Sequence, residues 1–531
     1  MSDERSSSEY VLVIDLGTGG PKVGLVDQEG GVAASASAPV KTFFLAGGGA
    51  EHDPAEWWSS IKTCAKQVLQ ESGLPPKDII AVAVTSCWSV TVAVDERGEP
   101  LMNATSWMDT RGSRYTREIV KGFPTIQGYQ LGKLIKYVGR HGFAPSPTDS
   151  LAHMLFIKHE HPEIYARTYK FFEPMDYINM RLTGKFAATQ NTMIPLLVVD
   201  NRRLGRTEYD PWLIKMSGIE REKLPDLLPI DGILGNLTPS AAAELGLSPE
   251  TLVVCGVSDH SISAIGAGSV GEAEPAAVMG SSGHMAFHLP SKKTDMLNMM
   301  CTIPSGIKGS YVFWSDLGNN GNVLDTCLKN LLGDQDDLTP GTVPADLYER
   351  ADRIAAPIPP GSGGVLFLPW LNGSLSPDGD EYLRGGFLNM SHSTGRSHLI
   401  RAIFEGLAMN WRWLRGPAEK LAGRKFNYWR ITGGGAISDV WVQIMADVVG
   451  IPMHRVDRPR LSTMIGMGLL TFNRLGRVKL DDIPGMVKYD RVFEPDPKNR
   501  PVYDRMYKRW SEAREKIRPI MHALNKPEAA A

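Results

Sequence analysis

The feature that most constrains this chain is a glycine-rich turn between two apolar runs near its amino end. Residues 10–14 and 23–26 are rich in strand-forming side chains, and between them stands Asp15-Leu16-Gly17-Thr18-Gly19-Gly20-Pro21-Lys22. A helix after the glycines, as in a P-loop, is disfavoured because a second turn at 27–31 leads into another strand-like run. The pattern predicts a meander whose first turn faces an anion with backbone N–H groups, unless it is an ordinary glycine-rich hairpin. The carboxylate of Asp15 stands where the strand ends and suits a metal ion.

The same pattern returns half the chain later. An apolar run at 276–279 meets the turn Gly280-Ser281-Ser282-Gly283, and an alternating run follows. Such a repeat predicts two related domains, each offering one phosphate-facing hairpin to a shared cleft that grips a nucleoside triphosphate. The small, Gly/Pro-rich residues 266–275 are the best boundary, so we expect domains at 9–268 and 275–522. A length of 531 residues also exceeds what one hydrophobic core usually serves.

Composition argues against several classes of protein. The formal net charge is −2, so nothing directs the chain generally to nucleic acid or to acidic lipid. Five scattered cysteines without CxxC spacing indicate a reducing compartment and argue against a zinc site. No apolar run approaches the ~18 residues of a membrane span, and the polar amino end lacks a signal core. We therefore expect a cytoplasmic protein without nucleic-acid or membrane partners.

A ligand floor is predicted where a buried strand ends. The continuous apolar run at 79–84 is typical of a strand buried on both faces, and it stops at Thr85-Ser86-Cys87-Trp88-Ser89. Small polar residues beside an indole suit a small ligand, so Trp88 is a candidate substrate contact. A turn with a packed indole explains the same residues equally well.

A second candidate for sugar contact is the alternation of Trp107, Asp109 and Arg111. An indole stacks on the apolar face of a sugar, while a carboxylate and a guanidinium hydrogen-bond its hydroxyls. The alternative is that Asp109 and Arg111 form only a surface ion pair of little consequence.

An aspartate follows the third buried strand. Residues 252–256 read as that strand, and Asp259 stands where the chain passes into a helix of small residues at 261–268. Near helix N–H groups, this carboxylate suits a general base toward a substrate hydroxyl. Local physics alone favours the commoner role of an aspartate in this setting, which is to cap the helix.

A glycine triplet completes the candidate loops. Gly433, Gly434 and Gly435 lie between a predicted strand at 428–432 and a predicted helix at 438–449. Glycines there let the backbone approach a ligand closely at the positive end of the helix. In sequence order, this is the third loop suited to a nucleotide.

These segments together resemble the FGGY carbohydrate kinases, within the actin-like sugar-kinase superfamily. The resemblance extends from Tyr10 to about Leu475. Six motifs carry it in the correct order: Asp15-x-Gly17-Thr18 with Lys22; Trp107-x-Asp109-x-Arg111; Gly256-x-x-Asp259 with Gly266-x-Gly268; Gly280–Gly283; Gly385–Met390 with His398–Glu405; and Gly433–Ala436.

The resemblance implies an α/β fold of two actin-like (ribonuclease H-like) domains, each a mixed β-sheet flanked by helices, with an interdomain cleft for ATP and sugar. It implies transfer of the γ-phosphate to a sugar or polyol hydroxyl, with Asp259 as catalytic base and Asp15 positioning Mg²⁺. The implied ATP contacts are Gly17, Thr18, Lys22, Ser281, Ser282, Gly283, Gly433, Gly434, Gly435 and Ala436. The implied substrate contacts, with Trp88 of the floor, are Trp107, Asp109, Arg111 and Asp259.

Six residues depart from the family's pattern. Gly19-Gly20-Pro21 replaces a hydroxyl-rich turn, which removes potential phosphate donors. His153 and Phe156 stand where the first family signature usually carries lysine and tryptophan, and Asn389 stands where the second prefers glycine. None of these departures removes a presumed catalytic carboxylate.

The substrate is less constrained than the reaction. The floor at 85–89 matches neither typical xylulose kinases nor glycerol kinases, whereas residues 107–111 and 258–260 look closer to xylulose kinases. We expect a ketopentose such as xylulose, with glycerol or another polyol as the alternative and a homodimeric assembly left open. A catalytically impaired sugar- or nucleotide-binding regulator of the same fold is the rival motivated by the altered first turn. An ATPase without a sugar substrate is disfavoured by Trp107, Asp109 and Arg111.

Overall fold

The structure is a computed structural model that describes residues 9–126, 128–332 and 343–526; the polar amino end, residues 1–8, lies outside it. Two large mixed sheets organise these residues, and the first has seven strands. Six of them lie across the sheet in the order Ile233–Asn236, Leu252–Val254, Ile79–Ser86, Tyr10–Gly17, Gly20–Asp27 and Val32–Ser37, and Val257–Ser258 pairs with the end of Ile79–Ser86. Antiparallel pairing of the three amino-terminal strands confirms the predicted meander.

The second sheet has nine strands and repeats the plan of the first. Its order is Thr294–Asp295, Met300–Pro304, Tyr311–Asp316, His284–Ala286, Ala276–Val278, Trp429–Thr432, Met453–Val456 and Tyr489–Phe493, with His288–Leu289 paired to Tyr311–Asp316. In both sheets the first hairpin strand pairs antiparallel with its partner and parallel with a distant strand. The next strand across is again parallel and the one after it antiparallel. This topology confirms the predicted repeat, whereas the domain boundaries at 268 and 275 stay predictions.

Smaller sheets and the helices surround these two sheets. The smaller sheets are Phe43–Leu45 with Gly49–His52 and Ala104–Thr105, Val92–Val94 with Lys170–Phe172, Thr125–Ile126 with Tyr129–Gln130, Ala187–Thr189 with Asp226–Leu228, and Leu366–Leu368 with Gly386–Leu388. The α-helices are Pro54–Ser72, Ser113–Val120, Leu131–Arg140, Ser150–Glu160, Pro162–Arg167, Pro174–Thr183, Pro211–Ser217, Pro239–Leu245, Asp259–Gly266, Gly321–Thr326, Leu347–Ala355, Arg396–Ala422, Asp439–Val449, Ser462–Arg474, Ile483–Met486 and Arg500–Asn525. Of the helices in the described residues, none is both long and apolar enough to cross a membrane.

Two helices lie between the sheets and form the middle of the molecule. Helix Asp259–Gly266 packs against strands of both sheets, and helix Ser462–Arg474 packs on the first sheet although it comes late in the chain. The two helices cross where Gly266 meets the other backbone: a Cβ on Gly266 would lie 1.8 Å from the carbonyl oxygen of Ser462. The crossing therefore requires glycine, and it fixes the helix that begins at Asp259.

Residues 43–50, which the sequence predicts to be a loop, contain strand Phe43–Leu45 and the start of strand Gly49–His52. The loop prediction is wrong because the partner of the second strand is distant in sequence: Glu51 and His52 pair with Thr105 and Ala104. Local composition carries no signal of such a partner.

Residues of the second family signature, Gly385–Met390 with His398–Glu405, make contacts that stabilise the fold. Glu405 is buried and accepts hydrogen bonds from the Gly361 N–H at 3.0 Å, the Ser362 hydroxyl at 2.7 Å and the Arg401 guanidinium at 2.9 Å. Asn389 adopts φ 62°, the left-handed region, and its amide donates to the Gly364 carbonyl at 3.0 Å. Asparagine tolerates this conformation better than most residues, which explains why it can replace the family's glycine.

Candidate active site

The first hairpin places Asp15 and Lys22 side by side. They are direct partners across the antiparallel strands, and the Lys22 ammonium lies 3.5 Å from a carboxylate oxygen of Asp15. Asp15 is buried, whereas the Lys22 side chain is 45% exposed and therefore free to turn toward a bound anion. The sequence predicted that Asp15 binds a metal ion and that Lys22 binds phosphate. The structure places the two residues side by side where their strands meet the hairpin turn.

The turn of this hairpin consists of Thr18 and Gly19. Gly20 follows at φ 129°, and a Cβ there would lie 2.0 Å from the Ala38 carbonyl oxygen. Gly20 is one of the residues that depart from the family's turn, and close packing against the backbone of Ala38 requires glycine there. Thr18 remains a hydroxyl in the turn, and its oxygen accepts a hydrogen bond from the Trp107 indole at 3.0 Å. This bond joins the predicted phosphate turn to the predicted sugar contacts.

The second hairpin turn is anchored from behind by Asn320. The side-chain amide of Asn320 donates to the Gly280 carbonyl at 2.8 Å. Gly283 has φ 78°, and a Cβ there would lie 2.8 Å from the side chain of Asn320, so the turn and its anchor are in close contact. Ser281 is exposed and Ser282 half-buried, which leaves both hydroxyl-bearing residues of the turn accessible.

Asp316 is a carboxylate at this turn that sequence reasoning missed. It ends strand Tyr311–Asp316 and accepts hydrogen bonds from the Gly318 N–H at 2.7 Å and from Ser282. Burial raises the pKa of Asp316 to about 6. Its position at a strand end was the only signal in the sequence, and that signal is too common to single it out.

The glycine triplet lies directly against the second hairpin. The Gly435 N–H donates to the Met279 carbonyl at 2.9 Å, and a Cβ on Gly433 would lie 2.9 Å from the Met279 backbone. Gly434 faces open space, whereas Ala436 is fully buried beneath it. The structure therefore brings the predicted adenosine loop and the second phosphate turn together.

Asp259 begins the helix Asp259–Gly266, and the residue before it, Ser258, occupies the N-cap position. The side chain of Asp259 is half-buried, and one of its oxygens accepts the His260 N–H at 2.7 Å. Asp259 is therefore not the N-cap residue, although its carboxylate accepts a backbone N–H of the first helical turn. A role of Asp259 in catalysis stays a prediction.

The electrostatic surroundings of Asp259 come from both hairpins. Burial, followed by the negative charge of Asp15, raises the pKa of Asp259 to about 7. Lys22 acts in the opposite direction, and Asp316 adds a smaller upward shift from the second sheet. The carboxylate thus lies within electrostatic reach of both predicted phosphate turns, and its pKa is close to neutral pH, as a general base requires.

Aromatic side chains from both halves meet beside Asp259. The rings of Trp88 and His260 are stacked with centroids 6.4 Å apart, and His284 lies 4.4 Å from His260 on its other side. Trp314 is 6.4 Å from His260, and the Ser263 hydroxyl lies 3.0 Å from His284 Nε2. Burial lowers the pKa of His260 to about 4 and that of His284 well below its usual value. The imidazoles of His260 and His284 are therefore neutral at physiological pH.

Arg111 is held by a ring of partners. It donates to Asp109 at 2.9 Å and to Glu51 at 2.7 Å, and its guanidinium lies 4.3 Å from the Phe156 ring centroid. Asp109 is fully buried and also accepts the Ala50 N–H at 2.9 Å. The pair is a buried network, and the surface ion pair considered from sequence is wrong. Contact of Asp109 and Arg111 with substrate stays a prediction.

Two departures from the family's first signature share this network. Phe156 supplies the ring on which Arg111 lies, and His153 is fully buried with Nδ1 3.2 Å from the Thr91 hydroxyl. Burial lowers the pKa of His153 to about 4, although Asp109 acts to raise it. A neutral imidazole avoids the repulsion that a lysine would bring to Arg111 at close range.

Glu173 is a second functional candidate that the sequence did not reveal. It is fully buried behind the 85–89 floor, where it accepts the Val90 N–H at 3.2 Å and the hydroxyl of Ser150. Burial raises its pKa well above the usual value. The adjacent Ser89 has φ 57°, so Glu173 stabilises a strained turn beside Trp88.

Replacing Glu173 by alanine is expected to destabilise the protein by about 3 kcal/mol, because buried donors lose their acceptor. The acceptor KM should rise with it, since the floor turn carries Trp88. Glu173→Gln, which keeps one acceptor oxygen, should lose much less. Urea unfolding and steady-state kinetics measure both effects, and an alanine variant as stable as wild type would contradict this role.

Comparison with known proteins shows that most of the chain matches one family. Residues 10–266 match the N-terminal domain of the FGGY family of carbohydrate kinases, and residues 276–473 match its C-terminal domain. A xylulose kinase of Staphylococcus epidermidis is 27% identical over 508 residues, 94% of this chain and 95% of the relative. A gluconokinase of Bacillus licheniformis is 25% identical over 83% of each chain.

The fold also matches a solved structure. The crystal structure of a xylulose kinase from Rhodospirillum rubrum has 25% identity and a TM-score of 0.81, and the match covers 97% of this chain and all of that one. The predicted two-domain α/β kinase fold is therefore confirmed. The chain belongs to the FGGY family of carbohydrate kinases.

Proposed function

We propose that this kinase transfers the γ-phosphate of ATP to a hydroxyl of a ketopentose, xylulose foremost, with Asp259 as the general base. The observation that carries the proposal is the position of Asp259: half-buried, near both hairpin turns, with its pKa raised to about 7. Asp259 takes the proton of the acceptor hydroxyl as that oxygen bonds to the γ-phosphorus and ADP leaves.

The phosphates are bound from two sides in this proposal. Lys22 and the N–H groups of Thr18 and its neighbours face them from the first sheet, and Ser281 and Ser282 face them from the second. The glycine triplet beside Met279 leaves room for the nucleoside. Closure of the two halves would exclude water, which competes with the sugar as a nucleophile.

Asp15 fits Mg²⁺, which is usually held by one or two carboxylates together with substrate phosphates and water. Within the part of the chain that the structure describes, no three His, Cys, Asp or Glu side chains are close enough to hold a metal ion, so a metal cage built from protein alone is not the expected site. When bound with ATP, Mg²⁺ supplies neutralisation of the phosphate charge. Asp15 itself orients this end of the site through its contact with Lys22.

The charge of the acceptor site favours a neutral sugar over a sugar acid. Arg111 is already paired with Asp109 and Glu51, and the buried imidazoles of His153, His260 and His284 have lowered pKa values. A carboxylate such as that of gluconate would meet Asp259 without an uncommitted cation among these residues. Xylulose, named for one relative, fits this neutral site better than gluconate, named for the other.

An acceptor panel tests the substrate. We expect kcat/KM for D-xylulose to exceed that for gluconate and glycerol at least tenfold, measured as ADP release with each acceptor, and xylulose to raise the midpoint of thermal unfolding. Preference for gluconate would contradict the charge argument. Sugar binding without turnover across the whole panel would instead support the regulator considered from sequence.

A cytoplasmic location is proposed because the cysteines indicate a reducing compartment. All five cysteines, Cys64, Cys87, Cys255, Cys301 and Cys327, are free, as expected in a reducing compartment. A homodimer remains a prediction that sedimentation can test.

A further inference from the structure

A cluster of arginines lines a cavity outside the proposed active site. The cavity has a volume of about 290 Å³ and is lined by Asp200, Arg202, Arg203 and Arg206. These residues belong to the loop between residues 199 and 210, and none of them is among the predicted nucleotide or sugar contacts. The loop thus forms a separate concave site that is lined by charged side chains.

Positive charge exceeds negative charge among the four residues that line the cavity. Arg202 binds Asp200 through two hydrogen bonds of 2.9 Å, and Arg206 lies 3.6 Å from the same carboxylate. In the lining one aspartate therefore faces three arginines, and Arg202 is also 3.9 Å from a carboxylate oxygen of Asp210. In the part of the chain that the structure describes, the Arg203 side chain has no ion pair, and Arg206 Nε is buried without a hydrogen-bond partner. A bound anion would satisfy both groups.

We propose that this cavity binds a small phosphate-bearing anion, either inorganic phosphate or a sugar monophosphate. The planar guanidinium group presents paired donors that match phosphate oxygens, and three such groups converge here. The cavity volume accommodates a phosphate with a short sugar and is too small for a macromolecular ligand to enter. Partial exposure of the arginines leaves the site open to solutes.

The loop is connected to Asp259 by two adjacent side chains. Gln190 donates to the carbonyls of Asp200 at 2.8 Å and Arg203 at 2.9 Å, so it sets the shape of the arginine loop. Its neighbour Asn191 accepts the Ser258 N–H at 2.9 Å, one residue before Asp259.

Asn191 and the arginine loop also contact the second sheet. Asn191 donates to the Pro304 carbonyl at 2.7 Å, and the backbone carbonyl of Asn201 accepts the Tyr311 hydroxyl at 3.1 Å. An anion that reshapes the loop therefore acts on contacts between the two halves and on the base itself. This contiguous path is the physical basis for coupling between the two sites.

Binding is tested without ATP turnover, so the outcome is independent of the proposed kinase substrate. Calorimetry with inorganic phosphate and with ribose 5-phosphate should show binding to wild type that weakens at least tenfold in Arg203→Ala/Arg206→Ala. Arg505→Ala, which removes an exposed positive charge from helix Arg500–Asn525, should bind as wild type. Ribose serves as the neutral control and should not bind the loop.

The phosphate turns are the competing location, and a Lys22→Met variant separates the two. Binding that survives in Arg203→Ala/Arg206→Ala but disappears in Lys22→Met would overturn the proposal. Coupling is then measured as the change in acceptor KM caused by phosphate at saturating ATP: at least twofold in wild type and absent in the double arginine variant. Binding without this change would keep the site and overturn its coupling to Asp259.

Discussion

Asp259→Asn is expected to lower kcat by two to four orders of magnitude while leaving ATP binding intact, because a general base typically contributes ~10²–10⁴-fold. Wild-type kcat/KM should fall about tenfold per pH unit below pH 7, since the pKa of Asp259 is raised to about 7 and only the ionised form accepts the hydroxyl proton. The variant should lose this limb of the profile. Steady-state kinetics between pH 5 and 9 measure both effects, and unchanged turnover in the variant would remove Asp259 from the chemistry.

The same substitution carries a stability signature. The folded-state pKa of about 7 lies above the usual value of an aspartate, so the folded protein holds a proton that the unfolded chain releases. The protonated form therefore favours folding, and this contribution is lost as pH rises through 7. Asn mimics the protonated acid, so Asp259→Asn should unfold at a higher temperature than wild type at pH 8, with the gap narrowing toward pH 5. A variant less stable than wild type at pH 8 would contradict a desolvated carboxylate.

Gly266→Ala is expected to cost about 3 kcal/mol or more of unfolding free energy and most of the activity. The added methyl carbon would lie 1.8 Å from the Ser462 carbonyl oxygen, so the two helices between the sheets must separate. The displaced helix begins at Asp259, which couples the packing defect to catalysis. Urea unfolding and turnover of the variant measure the two effects together.

Gly139→Ala is the matched control for that substitution. Gly139 also lies within a helix, Leu131–Arg140, but a Cβ there would contact nothing outside its own helix within 4 Å. Alanine should be neutral or stabilise by about 0.5–1 kcal/mol through its better helix propensity. Equal stability of the Gly266 and Gly139 variants would show that the helix crossing tolerates separation.

Local signals explain what the sequence predicted well. The turn between Asp15 and Lys22 is specified by glycines flanked by strand-forming residues, and its register needs no distant partner. The strand-to-helix junction at Asp259 is equally local, and the ordered motifs then identified the family. The repeat of the hairpin at 280–283 predicted the duplicated sheet plan for the same reason.

The residues that sequence analysis missed have functional partners that are distant in sequence. Asp316 acquires its role from Ser282, and Glu173 acquires its role from Val90 and Ser150, none of which is near in sequence. The family motif includes Gly266, but only the tertiary structure shows that it serves a helix crossing. The strand Phe43–Leu45 likewise belongs to a small sheet that local composition does not predict.

We expect the cleft between the two sheets to deliver the terminal phosphate of ATP to a sugar hydroxyl rather than to water. Incubation with γ-³²P-labelled ATP, Mg²⁺ and D-xylulose, followed by chromatographic separation, follows that phosphate directly. For wild type we expect label in a sugar monophosphate, and for Asp259→Asn almost none. Label appearing as inorganic phosphate at a rate independent of the sugar would contradict it.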